Sequence, residues 1–208
     1  MAKILLINGS PNQNGCTFTA LEEVAKKLNE LNLETEILQL GKKPMQDCIA
    51  CWQCMKTGKC AFNDVVNETA ARFDEFDGMV VGSPVYYSGP TGRVQSFLDR
   101  FFFSTSKSKV AGKIGAAVVS CRRGGATAAF ERINKFFQMT NMIVPGSQYW
   151  NQVHGFTPDD VRKDIEGLQT MRTLAQNIAW LIQNKEAGKN AGVKFPEYEE
   201  FTPTHFIR

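Results

Sequence analysis

Short, uniformly apolar runs recur along this chain, separated by longer segments whose apolar residues fall at helical spacing, and that alternation constrains the fold more than any other feature. The β-rich runs are Ile4 to Ile7, Met79 to Val81, Ile114 to Val119 and Met142 to Val144; Leu33 to Leu40 alternates more. Between them, Leu21, Val24, Ala25 and Leu28, then the segment 65–73, then Val94, Phe97, Leu98 and Phe101 repeat with helical period. Strands that are apolar throughout are buried on both faces, and parallel neighbours must be joined by crossovers. The pattern therefore predicts an α/β fold, a doubly wound five-stranded parallel sheet with helices on both faces. One last helix is expected from Pro158, with Val161, Ile165, Leu168, Met171, Ala175, Ile178 and Ile182 on one face.

At 208 residues the chain suits one domain, expected over 1–185, with a cysteine-bearing loop at 44–63. Beyond Lys185 the sequence turns polar and then ends in an aromatic-bearing tail, 186–208, expected to dock on a neighbouring subunit. That tail and the Phe101 to Phe103 run argue for a homodimer or homotetramer, since exposed apolar patches mark interfaces. No stretch is apolar and long enough to span a bilayer, so no membrane association is expected. The opening apolar run is broken at Asn8, Gly9 and Ser10, short of a signal peptide, which points to the cytoplasm. A net charge of +3, scattered along the chain, excludes a nucleic-acid partner.

In open α/β sheets ligands sit beyond the carboxyl ends of the strands. After the first strand comes GSPNQNGCT, a small polar run leading into a helix, whose amino terminus offers unpaired N–H groups and the positive end of the helix dipole. Ser10, Asn14, Cys16 and Thr17 are the candidate phosphate contacts. The run has neither the GxGxxG spacing of a dinucleotide fold nor the lysine of a triphosphatase loop, so a monophosphate such as FMN suits it; a plain helix cap is the alternative. The third strand runs into Pro84, Val85, Tyr86 and Tyr87, where a flat ring has aromatic neighbours. The fourth ends in Ser120, Cys121, Arg122, Arg123, Gly124 and Gly125; glycine lets backbone approach a ligand, and Arg122 would offset charge at the pyrimidine edge of a reduced flavin. Half-buried tyrosines and solvated arginines are the ordinary alternatives.

Cys48, Cys51, Cys54 and Cys60 stand at C-x2-C-x2-C-x5-C spacing. Three thiolates at such gaps with a fourth slightly further on suit a 4Fe-4S cluster; structural zinc prefers two separated pairs, and packing as small hydrophobes is also open. Cys16 and Cys121 lie outside the motif and receive no redox role. His154 and His205 each stand alone, so no catalytic or metal histidine pair is expected.

With these segments read, the sequence resembles the NAD(P)H-dependent FMN reductase and iron-sulfur flavoprotein branch of the flavodoxin-like superfamily. The likeness is carried by GSPNQNGCT, by GSPVYYSGPTGRVQSFLDRF and by KIGAAVVSCRRGG, and it reaches to about Lys185. It implies the flavodoxin-like strand order 2-1-3-4-5, FMN at the residues named above, and NAD(P)H as electron donor. Many relatives have an arginine where this chain has Asn12. The resemblance implies hydride passing through N5 of FMN to a small-molecule acceptor such as a quinone or free flavin, with no catalytic side-chain set beyond the cofactor. The alternative is an electron carrier in which a 4Fe-4S cluster on the four cysteines exchanges electrons with FMN and a redox partner protein.

Overall fold

The computed structural model describes residues 1–206 and holds five strands in one parallel sheet: β1 (Lys3–Asn8), β2 (Glu34–Gln39), β3 (Gly78–Pro84), β4 (Ile114–Cys121) and β5 (Gln152–His154). Their order is β2-β1-β3-β4-β5, the flavodoxin-like order. The helices are α1 (Cys16–Glu30), α2 (Gln53–Thr57), α3 (Val65–Arg72), α4 (Gly92–Ser104), α5 (Lys107–Val110), α6 (Ala126–Met139), α7 (Pro158–Lys163) and α8 (Ile165–Asn190).

Period-two alternation within the strands divides the interior into two layers. Leu5, Ile7, Met79, Val81, Ala117 and Val119 point to one side and pack with Val66, Val94, Phe97, Phe101, Ile133 and Phe137 of α3, α4 and α6. Ile4, Leu6, Val80, Ala116 and Val118 point to the other and pack with Leu21, Val24, Leu28, Val161, Leu174 and Ile178 of α1, α7 and α8. Each inner strand is thus apolar on both faces because helices cover both.

Two expectations need correction. The apolar run Met142 to Val144 is not the fifth strand: Ile143 forms only an isolated parallel bridge with Ile114. Pro145 follows at once and has no N–H to continue the ladder. The edge strand is Gln152–His154, whose Val153 alone is buried, paired with the far end of β4. The last helix is also two helices. Asp164 leaves helical geometry at φ −77° and ψ 77°, and its carboxylate accepts from Gly167 N and His154 N. That carboxylate therefore starts α8 and fastens the edge strand.

The tail lies against its own chain. The Phe195 ring fills the space beside Gly112, which sits at φ +72°, and Lys107 Nζ stands 5.2 Å from the centre of the Phe201 ring. Positions 207 and 208 of the expected tail lie outside the described residues.

Just past the carboxyl end of β1, Gly9 donates to Gly82 O at 2.9 Å, and a Cβ there would lie 1.9 Å from Val94 Cγ2. Gly9→Ala is expected to destabilise the protein by about 1–3 kcal/mol through overpacking, read as a lower midpoint in urea unfolding.

Candidate functional site

Parallel pairing brings the ends of β1, β3 and β4 to one edge, where their loops lock together. Asn8, fully buried at the end of β1, donates from Nδ2 to Gln13 O at 3.2 Å and Gln39 Oε1 at 2.5 Å, while its Oδ1 accepts from Ser10 N. Gln39 of β2 in turn donates to Ser10 O at 2.7 Å. The loop between β1 and α1 is thus held from beneath by two amide side chains. Its far side is held by Thr91, whose hydroxyl donates to Gly9 O and accepts from Val94 N, starting α4.

Ser10 and Thr17 are buried, Cys16 is half-buried, and Asn12 and Asn14 are exposed. Gly15 precedes α1 with no side-chain cap, so the first-turn N–H groups of a fifteen-residue helix remain to be met from outside it. Thr17 Oγ1 and Ser120 Oγ share a hydrogen bond at 2.8 Å, which ties the start of α1 to the end of β4. Burial raises the thiol pKa of both Cys16 and Cys121, keeping them protonated.

After β3 the backbone makes a tight two-residue turn. Tyr86 and Gly89 exchange both backbone hydrogen bonds, at 2.8 and 2.9 Å, around Tyr87 and Ser88, which take φ +49° and +63°. Left-handed geometry at an aromatic residue is costly and needs outside support. It comes from the neighbouring loop: Gly125, at φ +87°, packs so closely on Ser88 and Val85 that a Cβ would lie 2.8 Å from Ser88 Oγ, and Val85 N donates to Ser120 O. Tyr87 stands fully exposed at the tip, Tyr86 half-exposed, and Pro84 and Val85 lie beneath. Arg122, Arg123 and Gly124 are exposed on the adjoining loop. The structure therefore brings the predicted residues of all three loops to one place.

These residues fit a phosphate-bearing flavin. An uncapped helix start suits an anion, small residues leave its approach open, and the shelf formed by Val85, Tyr86 and Gly125 suits a flat ring.

The cysteine loop lies against α4. Cys48, Cys51, Cys54 and Cys60 line one small cavity with Trp52, Phe103 and Arg100. Arg100 is fully buried, and each of its five N–H donors has a partner. Nε donates to Cys60 Sγ at 3.2 Å, Nη1 to Gln46 O and Asp64 Oδ2, and Nη2 to Phe62 O and Asp64 Oδ1. Burial opposes its charge, yet the bonds to Asp64 and Cys60 prevail and leave its pKa raised. Burial also raises the Cys54 thiol pKa, with Cys60 and Cys48 adding to it. Although the four thiols share a cavity, no group of three or more His, Cys, Asp or Glu among the described residues converges closely enough to hold a metal ion.

Residues 2–157 match the NADPH-dependent FMN reductase family. The chain belongs to that family. It is 32% identical over 188 residues to an iron-sulfur flavoprotein of Methanocaldococcus jannaschii, covering 87% of this chain and 97% of that protein. RosB, solved with bound 8-demethyl-8-formylriboflavin-5'-phosphate, superposes with a TM-score of 0.69 at 11% identity over 100% of this chain and 93% of its own. An archaeal flavodoxin superposes at 0.56 with 18% identity, over 88% of this chain and 99% of its own. The two superpositions show the flavodoxin-like fold, and the family makes the protein a flavin-dependent oxidoreductase of the FMN-binding type. No helix among the described residues is long and apolar enough to cross a membrane.

Several residues that shape the joined strand ends and the cysteine loop escape the sequence reading. Asn8, Gln39 and Thr91 shape the first loop without facing outward, and nothing local marks them. Arg100 carries a usable signal, a lone charge beside Phe97 and Phe101 on the apolar face of α4, which demands a buried anion; Asp64 at the start of α3 supplies it. His154 lies 3.7 Å from Asp164 through Nδ1.

Arg100→Met is expected to lower stability by about 2–3 kcal/mol, because Asp64 loses its charged partner and two loop carbonyls lose donors. Thiol alkylation followed by mass spectrometry should show Cys60 reacting faster once the loop is released.

Proposed function

We propose that the protein binds FMN at the joined strand ends and passes electrons from NADH or NADPH to a small-molecule acceptor such as a quinone or free flavin. The observation that carries this reading is the junction of Thr17 with Ser120, which sets the uncapped start of α1 beside the loop after β4. Ser10, Asn14, Cys16 and Thr17 would hold the phosphate, and Pro84, Val85, Tyr86 and Tyr87 with Ser120, Arg122, Gly124 and Gly125 would frame the ring. When bound, FMN would supply the hydride and electron chemistry that the side chains lack. The side chains orient the ring, offer donors to its phosphate and, through Arg122, place positive charge at its pyrimidine edge. The exposed aromatic tail residues suit a homodimer or homotetramer, and the chemistry suits the cytoplasm.

A second reading is an electron carrier with a 4Fe-4S cluster on Cys48, Cys51, Cys54 and Cys60, serving a redox partner protein. It is favoured by the shared cavity of the four thiols and by a relative named as an iron-sulfur flavoprotein.

Protein purified without oxygen should show flavin bands on adding FMN and lose them on adding NADH or NADPH. Ser120→Ala should weaken FMN binding about three- to tenfold, the worth of one hydrogen bond, measured by fluorescence titration. No FMN binding at all would overturn the assignment. Iron and acid-labile sulfide at about four per chain would decide for the carrier, and flavin without iron for the reductase.

A further inference from the structure

Away from the strand ends, between the end of α4, the cysteine loop and α6, lies a cavity of about 660 Å³. Phe102, Phe136 and Met139 give it apolar lining, and Phe103 joins it to Trp52 of the cysteine loop, the two ring centres 5.5 Å apart. Trp52, Met55, Phe103 and Met139 all remain exposed. Apolar side chains gathered in this way around a cavity mark a contact surface rather than a plain solvated face.

The tail skirts this cavity without entering it. Phe195 is seated beside Gly112, and Phe201 stands 5.2 Å from Nζ of Lys107, which lines the cavity, yet no residue of 193–206 lines it. Tyr198, Phe201 and Phe206 stay exposed. Charge is divided between the same two features. Lys107 is at the rim, Lys56 and Lys59 flank the lining residues Met55 and Gly58, and Lys135 precedes Met139 by one turn of α6. None of the four pairs with a carboxylate among the described residues, and Glu197, Glu199 and Glu200 of the tail are equally unpaired. Asp99, the one carboxylate that lines the cavity, accepts from Gln95 Nε2 at 2.7 Å. Within its own chain the tail therefore passes the lysine rim without forming an ion pair there.

We propose that this face binds a second copy of the chain, the tail of each copy lying across the cavity of the other. A two-fold contact must be self-complementary, because the same patch serves both sides. This face is so composed: an apolar cavity with a lysine rim stands beside an aromatic segment that carries three carboxylates. Half a turn about an axis between them sets the carboxylates of one copy against the lysines of the other and covers the open cavity with tail rings. Opposite charges placed in this way fix the register of the contact as well as adding to its strength. The proposal rests on the homo-oligomer of the reading above and is independent of the flavin.

The test is analytical sedimentation of the FMN-loaded full chain and of two charge-reversed variants. The unaltered chain should sediment as a dimer or a pair of dimers, and added salt should weaken the association. The first variant, Lys56→Glu, Lys107→Glu, Lys135→Glu, makes rim and tail both negative; the second, Glu197→Lys, Glu199→Lys, Glu200→Lys, makes both positive. Each alone should associate at least about tenfold more weakly, since several attractions become repulsions. An equal mixture of the two should restore association, because every rim then meets a tail of opposite charge. FMN affinity, measured in the same samples, should be unchanged, which confirms folding and separates failure here from failure of the flavin reading. A monomeric unaltered chain, or variants that associate as tightly as it does, overturns the proposal. So does a mixture that stays dissociated, the result expected if each tail closes on the cavity of its own chain.

Discussion

Burial of both faces of a parallel sheet is the constraint on which the rest of the structure depends. A strand such as Ile4 to Ile7, with no polar side to turn outward, must be covered above and below. Parallel neighbours can be joined only by chain that crosses back, and helices α1, α3, α4 and α6 satisfy both demands at once, while α8 adds cover after the last strand. Every loop that follows a strand then emerges at the same edge, and three stretches far apart in sequence meet there. The site is a consequence of how the core is closed.

Once gathered, those loops fix one another rather than relying on their own turn preferences. Gly9 sits against Val94 of α4, Gly125 sits against Ser88, and Thr17 is bonded to Ser120. Tyr87 in left-handed geometry would relax in an isolated peptide; here Tyr86 and Gly89 clamp the turn from within, and the following loop blocks its escape. Such mutual locking gives the edge a defined shape, which a flavin needs if its ring is to be oriented and one face left open.

A second organising interaction lies further along α4. Arg100 is a charge in an apolar interior, tolerable because Asp64, Cys60 and two loop carbonyls satisfy all its donors. Removing the guanidinium from water is costly, so its partners are bound to it as firmly as it is to them. The result is a tether from a core helix to the loop that carries four thiols. The same helix then ends at Ser104, which with Thr105 lines an apolar cavity of about 660 Å³. The thiol loop and that cavity are therefore positioned by one helix end.

The sequence by itself determined the layering, the strand order implied by its family resemblance, and which loops would meet at the strand ends. Apolar periodicity and glycine-rich strand ends are local and survive without knowledge of neighbours. It misplaced the fifth strand, because Met142 to Val144 is more apolar than Gln152 to His154, and hydropathy cannot show that Pro145 ends the first pairing or that β4 offers its free edge further on. It also joined α7 to α8, since their apolar positions keep step across Asp164 and only the bonds of that carboxylate reveal the break. What the tertiary structure alone decided were the long-range pairings: Thr17 with Ser120, Asn8 with Gln39, Arg100 with Asp64 and Cys60. A hydrogen bond between residues far apart leaves no periodic trace in either segment, so it becomes visible only when folding brings the two together.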